Sequence, residues 1–473
     1  CIFSFMMMMN QISSRFGRKV PNELRCRNLT NPSVAIVGSG PSGFYVAKYL
    51  KKARPDAKID IIERWPVPYG LVRFGVAPDH PEVKSVINDF ASVAEEVRFI
   101  GNVCVGNDEK EGHVSVETLR KHYDAVVLAN GASGERKLNI PGEELKGVLS
   151  ARKFVGWYNA EPLVEEPPLH FFDDGLEAVV IGHGNVALDC ARILATPPAI
   201  LSTTDISRST LEILGRTAKV SVVGRRGPAQ AAFTIKELRE LMQIKDASFS
   251  VIADELDLAD NEASRAEIHS KRALQRKCKL IQDAAKNVVS EKKNTLIELR
   301  FLLSPVAFEP RSDDPSRLGA IVFQRCELLG DPGAQKAHAT GELIKIPASL
   351  AFTAVGYLTQ ALHTSSSFVP RLENDHGKID SGLYCAGWSK RGPSGIIGTN
   401  ITDARETVAT MLQDFDALSS SEKCGIHSLQ NATSWTDWLN LDAHERSLGE
   451  PFGAPRIKLN DVRKMLDIIR ASS

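Results

Sequence analysis

A glycine fingerprint that occurs twice constrains this chain more than any other feature. Residues Ser33 to Val37 form a short apolar run, read as a buried strand. Gly38-Ser39-Gly40-Pro41-Ser42-Gly43 follows, and Phe44 to Leu50 then show helical apolar spacing. In such a unit the first glycine allows a tight turn and the second lets backbone approach a pyrophosphate. The third lets the helix pack on the strand. The helix N-terminus offers unpaired N–H groups to the phosphates. A second strand, Lys58 to Ile62, ends at Glu63, whose carboxylate would accept hydrogen bonds from a ribose diol. A lone G-x-G-x-x-G is weak, and a plain glycine turn is its alternative. Strand, glycines, helix, strand and acid in register are far more specific.

The grammar begins again at Ala178-Val179-Val180-Ile181, followed by Gly182-His183-Gly184-Asn185-Val186-Ala187 and a helix through Leu194. Alanine replaces the third glycine. The next strand, Lys219 to Val223, ends in Gly224-Arg225-Arg226, where the first unit ended in an acid. Two guanidinium groups pair with a 2′-phosphate that a carboxylate would repel. The first site therefore suits FAD or NAD, and the second NADPH. A solvated charge pair on a loop is the alternative for the arginines. Arg225 follows Gly182 at roughly double the usual gap. The excess is Thr196–Thr217, a Pro- and Ser/Thr-rich insertion read as a loop with a short helix.

At 473 residues the chain exceeds what one core fills, about 250–300 residues, so two or three domains are expected. Fifty-eight basic residues balance 58 acidic ones, which leaves no global field for nucleic acid or membrane. No apolar run reaches the roughly 18 residues of a spanning helix. The eight cysteines are never spaced C-x-x-C. That argues against a zinc site, a disulfide scaffold and a redox dithiol, and no metal ligand set is expected. Residues 1–30 carry Arg15, Arg18, Lys19, Arg25 and Arg27 against the single acid Glu23. This bias predicts a transit peptide, with a disordered leader as the alternative. Further strands are expected at Tyr123–Ala132, Ser349–Tyr357 and Gly382–Trp388, and a helix from about Ile397 to Phe415. The predicted fold is α/β: two Rossmann-like dinucleotide-binding domains, one inserted in the other. The outer domain takes 31–134 and 347–473, and the inserted one 135–346.

Over about 32–470 the sequence resembles the mitochondrial NADPH:adrenodoxin (ferredoxin) oxidoreductase family. The likeness rests on Gly38–Gly43, Gly70-Leu71-Val72-Arg73-Phe74-Gly75-Val76-Ala77-Pro78-Asp79-His80-Pro81 and Ile140-Pro141-Gly142-Glu143-Glu144-Leu145. It extends through Gly184-Asn185-Val186-Ala187-Leu188-Asp189 and Val223–Pro228 to Phe233–Glu240 and Gly387–Pro393. It implies a glutathione-reductase-type flavoprotein, with FAD in the outer domain, NADP(H) in the inserted one and an acidic [2Fe–2S] ferredoxin as acceptor. It also implies a mitochondrial matrix location, peripheral to the inner membrane. Besides Gly38, Gly40 and Gly43, the FAD residues would be Ser42, Glu63, Leu71, Val105, Trp388, Gly395, Ile396 and Ile397. Gly182, Gly184, Asn185, Val186, Arg225, Arg226, Glu237 and Gly395 would hold NADPH. The family's usual Gly-Gln-Gly-Asn is Gly182-His183-Gly184-Asn185 here, and its Gly-Tyr-Lys is Gly356-Tyr357-Leu358. Residues 254–300 match poorly.

Hydride transfer needs positioning rather than an acid or a nucleophile, because the electron chemistry belongs to the cofactor. A helix starting at Ile396–Ile397 could aim its free N–H groups at charge building on a flavin. His80 is the candidate proton relay, with a loop-pinning histidine as the alternative. Trp388 reads as a wall of the flavin site and Cys385 as a buried strand residue. Arg208 and Arg239 are the candidate docking residues for an acidic partner. Lys271, Arg272, Arg276, Lys277 and Lys279 form a further basic helical stretch that is either docking surface or solvated face. A flavin monooxygenase and a non-enzymatic NADPH-sensing flavoprotein are the competing functions.

Overall fold

Each of the two apolar strand runs seeds its own sheet in the computed structural model. The structure describes residues 31–106, 113–165, 175–286, 293–364, 368–417, 423–427 and 429–472; the leader lies outside them. The first sheet has six strands, in the order Lys378–Asp380, Leu383–Cys385, Ala125–Leu128, Ser33–Val37, Lys58–Ile62, Arg98–Ile100. All neighbours are parallel except the edge strand Lys378–Asp380, which pairs antiparallel. The second sheet is parallel throughout. Its order is Ala247–Val251, Thr295–Arg300, Thr217–Val223, Leu176–Ile181, Leu350–Thr353, Val148–Ser150. Both faces of each sheet are covered, which is why the strands read as continuous apolar runs.

In both sheets the founding strand lies between its successor and a strand returning from later in the chain. The order of connection reverses there, and such a switch point opens a crevice at the carboxyl ends of the strands. The fingerprint turns occupy these two places. A Cβ on Gly38 (φ +107°) would come within 2.5 Å of the Ala129 carbonyl, and one on Gly182 (φ +142°) within 2.4 Å of that of Ala354. Only glycine tolerates both the dihedral and the approach.

The strand Leu350–Thr353 hydrogen-bonds to Leu176–Ile181 and Val148–Ser150. The inserted unit therefore runs through Thr353 rather than ending at residue 346. Sequence grammar shows a buried strand but not which sheet it joins. The antiparallel pair Gly134–Glu135 with Tyr357–Leu358 links the two units. The insertion Thr196–Thr217 contains two short helices, Pro198–Leu201 and Arg208–Leu211. The poorly matching stretch begins with three, Ala253–Ala259, Glu262–Ser270 and Arg272–Lys286. The late helix spans Thr399–Ala417, starting two residues after the expected position. The residues before it form a turn in which Thr399 Oγ1 accepts the Ile396 N–H at 3.1 Å.

The C-terminal region straps the units together. Helix Trp435–Gly449 starts with a capping box in which Ser434 and Asp437 satisfy each other's backbone N–H groups. It carries Glu445, fully buried, which receives Arg73 at 2.5 Å and the Leu459 N–H at 3.0 Å. Lys458 then crosses to the inserted unit. Its ammonium donates to the carbonyls of Arg73 and Asn159 and pairs with Asp205 at 3.0 Å. Asp205 also holds Lys84 of the outer unit. Removing one partner of a buried pair strands the other charge, at a cost of about 3–5 kcal/mol. Glu445→Ala is thus expected to lose about that much stability in denaturant unfolding. A loss indistinguishable from that of an exposed substitution would show that the Arg73 pair anchors nothing.

Candidate functional site

Between the two switch points lies a cavity of about 400 Å³, within the usual size of a ligand site. Gly38, Gly40, Ser42, Glu63, Leu71, Val105, Trp388, Gly395, Ile396 and Ile397 line it. Asn185, Val186, Glu237 and His80 line it from the opposite side. Gly43 lies behind the wall: a Cβ there would meet the Gly38 carbonyl at 2.0 Å, so this glycine serves helix packing. A Cβ on Gly40 would meet nothing within 4 Å, which leaves a backbone cradle at the helix N-terminus. Gly184 repeats this open cradle at the second helix, Asn185–Ala195. Two open cradles at helix N-termini, one with an acid at the next strand end and one with arginines, fit a pair of dinucleotides.

Glu63 is buried, and one of its oxygens accepts the Ser39 N–H at 3.0 Å and hydroxyl at 2.7 Å. The other accepts the Trp65 N–H at 3.2 Å. A carboxylate has about four acceptor positions, so one is left facing the cavity for a hydroxyl. Ser42 donates to Asn400 Oδ1 at 2.9 Å and so joins the first helix to the late one. The Ile397 and Gly398 N–H groups have no acceptor among the described residues. They form the free N-terminal edge of the turn that leads into the late helix. Trp388 stacks on Tyr357 with ring centroids 5.6 Å apart. Its indole N–H donates to the Ser394 carbonyl at 3.2 Å, fixing the plane of this wall. Cys385 is buried, and burial pushes its thiol up to about 12.

His80 lies where the two units meet. Its Nε2 is 3.0 Å from Glu240 Oε2, and Arg192 Nη2 approaches Nδ1 at 3.4 Å. An arginine can only donate, so this contact places the neutral-ring proton on Nε2, directed at Glu240. Arg192 also pairs with Asp79 of the outer unit and Asp189 of its own helix. Burial raises the Asp189 carboxyl, against the pull of Arg192. Burial and then the Asp189 charge raise Glu237, whose Oε2 has no hydrogen-bond partner among the described residues. Donor atoms of His80, Asp189 and Glu237 lie within 4.8 Å of one another. Arg192 places its positive charge beside this cluster.

Arg225 and Arg226 are exposed just beyond the strand Thr217–Val223, outside the cavity and without an ion pair among the described residues. Gly182 likewise lies behind its turn. Arg239 is exposed on helix Ile235–Met242. Arg208 does not suit a docking role. Its guanidinium stacks 4.5 Å over Phe452 and donates to the Ser202 carbonyl at 3.0 Å, so it fastens the insertion to the C-terminal strap. The basic stretch also divides: Lys271, Arg272, Arg276 and Lys279 are exposed, whereas Lys277 points inward and is buried. Sequence reasoning passed over Asp189, Arg192 and Glu240. Glu240 lies one helical turn beyond Glu237, which was the available signal.

His183 explains its own departure from the usual glutamine. Its ring packs edge-on against Phe233 and Phe301 under the second turn, and its backbone carbonyl accepts the Ala232 and Phe233 N–H groups. Burial pushes the imidazole down to about 4, with the Lys277 and Arg226 charges adding to the effect. Between pH 6.5, the ordinary histidine value, and about 4 the unfolded chain binds a proton that the folded chain refuses. Stability contributed by the neutral ring is therefore lost as pH falls through that window. His183→Gln should flatten the fall, measured as denaturant midpoint against pH; an unchanged slope would assign it to other groups.

A family model described as pyridine nucleotide-disulphide oxidoreductase matches residues 32–242. The mouse mitochondrial NADPH:adrenodoxin oxidoreductase is 42% identical over 484 residues, covering 96% of this chain and 95% of its own length. NADPH-ferredoxin reductase FprA of Mycobacterium tuberculosis is 40% identical over 469 residues, covering 92% and 98%. The solved structure of that FprA in complex with NADPH superimposes with a TM-score of 0.83 at 38% identity, covering 93% of this chain and 99% of that one. With two switch-point cradles facing one cavity and this identity along nearly its whole length, the chain belongs to the NADPH:adrenodoxin/ferredoxin oxidoreductase family.

Proposed function

We propose that the chain takes a hydride from NADPH onto FAD and passes electrons singly to a small acidic [2Fe–2S] ferredoxin. The observation that carries this reading is the shared cavity, bordered by one cradle with an acid and another with arginines beyond it. When bound, FAD supplies the conversion of a two-electron donor into one-electron steps. Residues 31–134 and 354–473 hold it. Gly38, Gly40 and Ser42 cradle its pyrophosphate, with Gly43 behind them, and Glu63 takes a ribose hydroxyl. Leu71 and Val105 flank it, and Trp388 and Gly395-Ile396-Ile397 form the wall at its ring. Residues 135–353 hold NADPH through Gly182, Gly184, Asn185 and Val186. Arg225 and Arg226 take the 2′-phosphate. Gly395 and Glu237 border both ligands.

The chain's own contribution to the step is placement and charge. The free Ile397 and Gly398 N–H groups offer donors toward a developing anion, with Trp388 as the wall beside them. His80, with Nε2–H directed at Glu240, moves a proton at the cavity wall, and Arg192 keeps the ring in that tautomer. Arg239 forms part of the ferredoxin-docking face. The Arg-rich leader supports import into the mitochondrial matrix.

Anaerobic NADPH titration of the yellow protein should bleach absorption near about 450 nm, the flavin's own band, before an added ferredoxin cluster is reduced. Bleaching without onward transfer would refute the ferredoxin role. Arg239→Glu is expected to slow ferredoxin-dependent cytochrome reduction about tenfold at low salt, while NADPH reduction of a dye is unchanged. Equal loss in both assays would remove Arg239 from the docking face.

A further inference from the structure

Lys277 belongs to helix Arg272–Lys286, in the part of the chain that matches the family poorly. It is 5% exposed, and among the described residues no carboxylate lies within ion-pair distance. Its ammonium donates to the Ala231 carbonyl and lies 5.4 Å from the centre of the Phe233 ring. An ammonium has three donors, and backbone acceptance of one does not cancel a unit charge. A buried cation is costly unless it is paired and hydrogen-bonded.

The segment it touches runs from Gly224 to Thr234 and is tied at each end. Gly224 and Arg226 carbonyls accept the Leu303 and Leu302 N–H groups, while Ala232 and Phe233 donate to the His183 carbonyl. Thr234 donates its N–H to Asn185 Oδ1 at 2.9 Å. Between these ties Gln230 bonds Glu267 at 3.0 Å and Gln335 at 3.1 Å. Lys277 grips the same middle stretch. Arg225 and Arg226, exposed and unpaired, therefore stand on a loop whose inner side carries a third, buried positive charge. Burial lowers the affinity of Lys277 for its proton; the nearby Glu267 carboxylate works against this, and the Arg226 charge adds a smaller lowering.

We propose that Lys277 is a positioning and specificity residue for the 2′-phosphate of NADPH. It holds the 224–234 loop from behind, and its buried charge adds to the positive potential that draws that phosphate between the arginines. The proposal rests on the assignment of the second cradle to NADPH.

The test compares calorimetric binding of 2′,5′-ADP and of 5′-AMP to the full-length, FAD-loaded chain and its variants. Lys277→Met should weaken 2′,5′-ADP about tenfold, the scale of one lost charged hydrogen bond. Binding of 5′-AMP should stay within about twofold. Lys277→Gln, which keeps a donor for Ala231 without the charge, should lose 2′,5′-ADP affinity in the same direction and supplies the test if the methionine variant does not fold. Equal weakening of both ligands would mean that Lys277 merely supports the fold, and wild-type affinities would mean that it does nothing for the phosphate; either result overturns the proposal. Failure of the underlying assignment is recognised separately: the unaltered chain would then show no preference for 2′,5′-ADP, and Arg225→Ala would not change its binding.

Discussion

Arg192 is the hinge of the arrangement in an electrostatic sense. It is 4% exposed and pairs with Asp79 from the outer unit and Asp189 from the inserted one. Remove it, and two half-buried carboxylates confront each other across the seam where the sheets meet. A charge pattern of this kind is a poor source of net stability but a strict selector of geometry, because only one docking of the two units satisfies it. The two switch points face each other in that docking, and the cavity between them follows. Lys458, Asp205 and Lys84 impose the same constraint further from the cavity.

A seam of paired charges also sets the chemistry of its immediate surroundings. Arg192 touches His80 as well as the two acids, so one residue fixes both the docking and the tautomer of the imidazole. Glu237 and Glu240 reach the seam from one helix, whose N-terminal cap Thr234 is tethered to Asn185. The loop before that helix carries Arg225 and Arg226. A single stretch of chain thus connects the arginine pair to the acids at the seam.

The two units differ little at their turns. Both use a glycine pressed against a returning carbonyl and both leave an open cradle at a helix start. They differ at the end of the next strand, where Glu63 is buried and held by two backbone donors and the Ser39 hydroxyl, with one acceptor position left, while Arg225 and Arg226 stand in solvent. A sugar diol needs an acceptor held still, whereas a dianionic phosphate is attracted at longer range by flexible cations.

Local rules were enough to find both turns, the strands that seed the sheets and the acid-versus-arginine contrast, because each depends on residues within one strand–turn–helix unit. The resemblance of long sequence blocks added residues of the cavity wall, Trp388 and Gly395 to Ile397. What escaped local reading was everything decided by contact between distant segments. The strand Leu350–Thr353 has the same composition whichever sheet it joins, and pairing with Leu176–Ile181 is a tertiary choice. Arg208, Arg239 and Lys277 are equally basic in one dimension. Packing turns the first onto Phe452, leaves the second exposed and buries the third behind the arginine loop. The amino-acid order by itself determined that two glycine turns of the dinucleotide-binding kind exist and that one is followed by an acid and the other by arginines. Only the folded arrangement decided which charges meet across the seam, because a buried ion pair is defined by partners that chain connectivity leaves far apart.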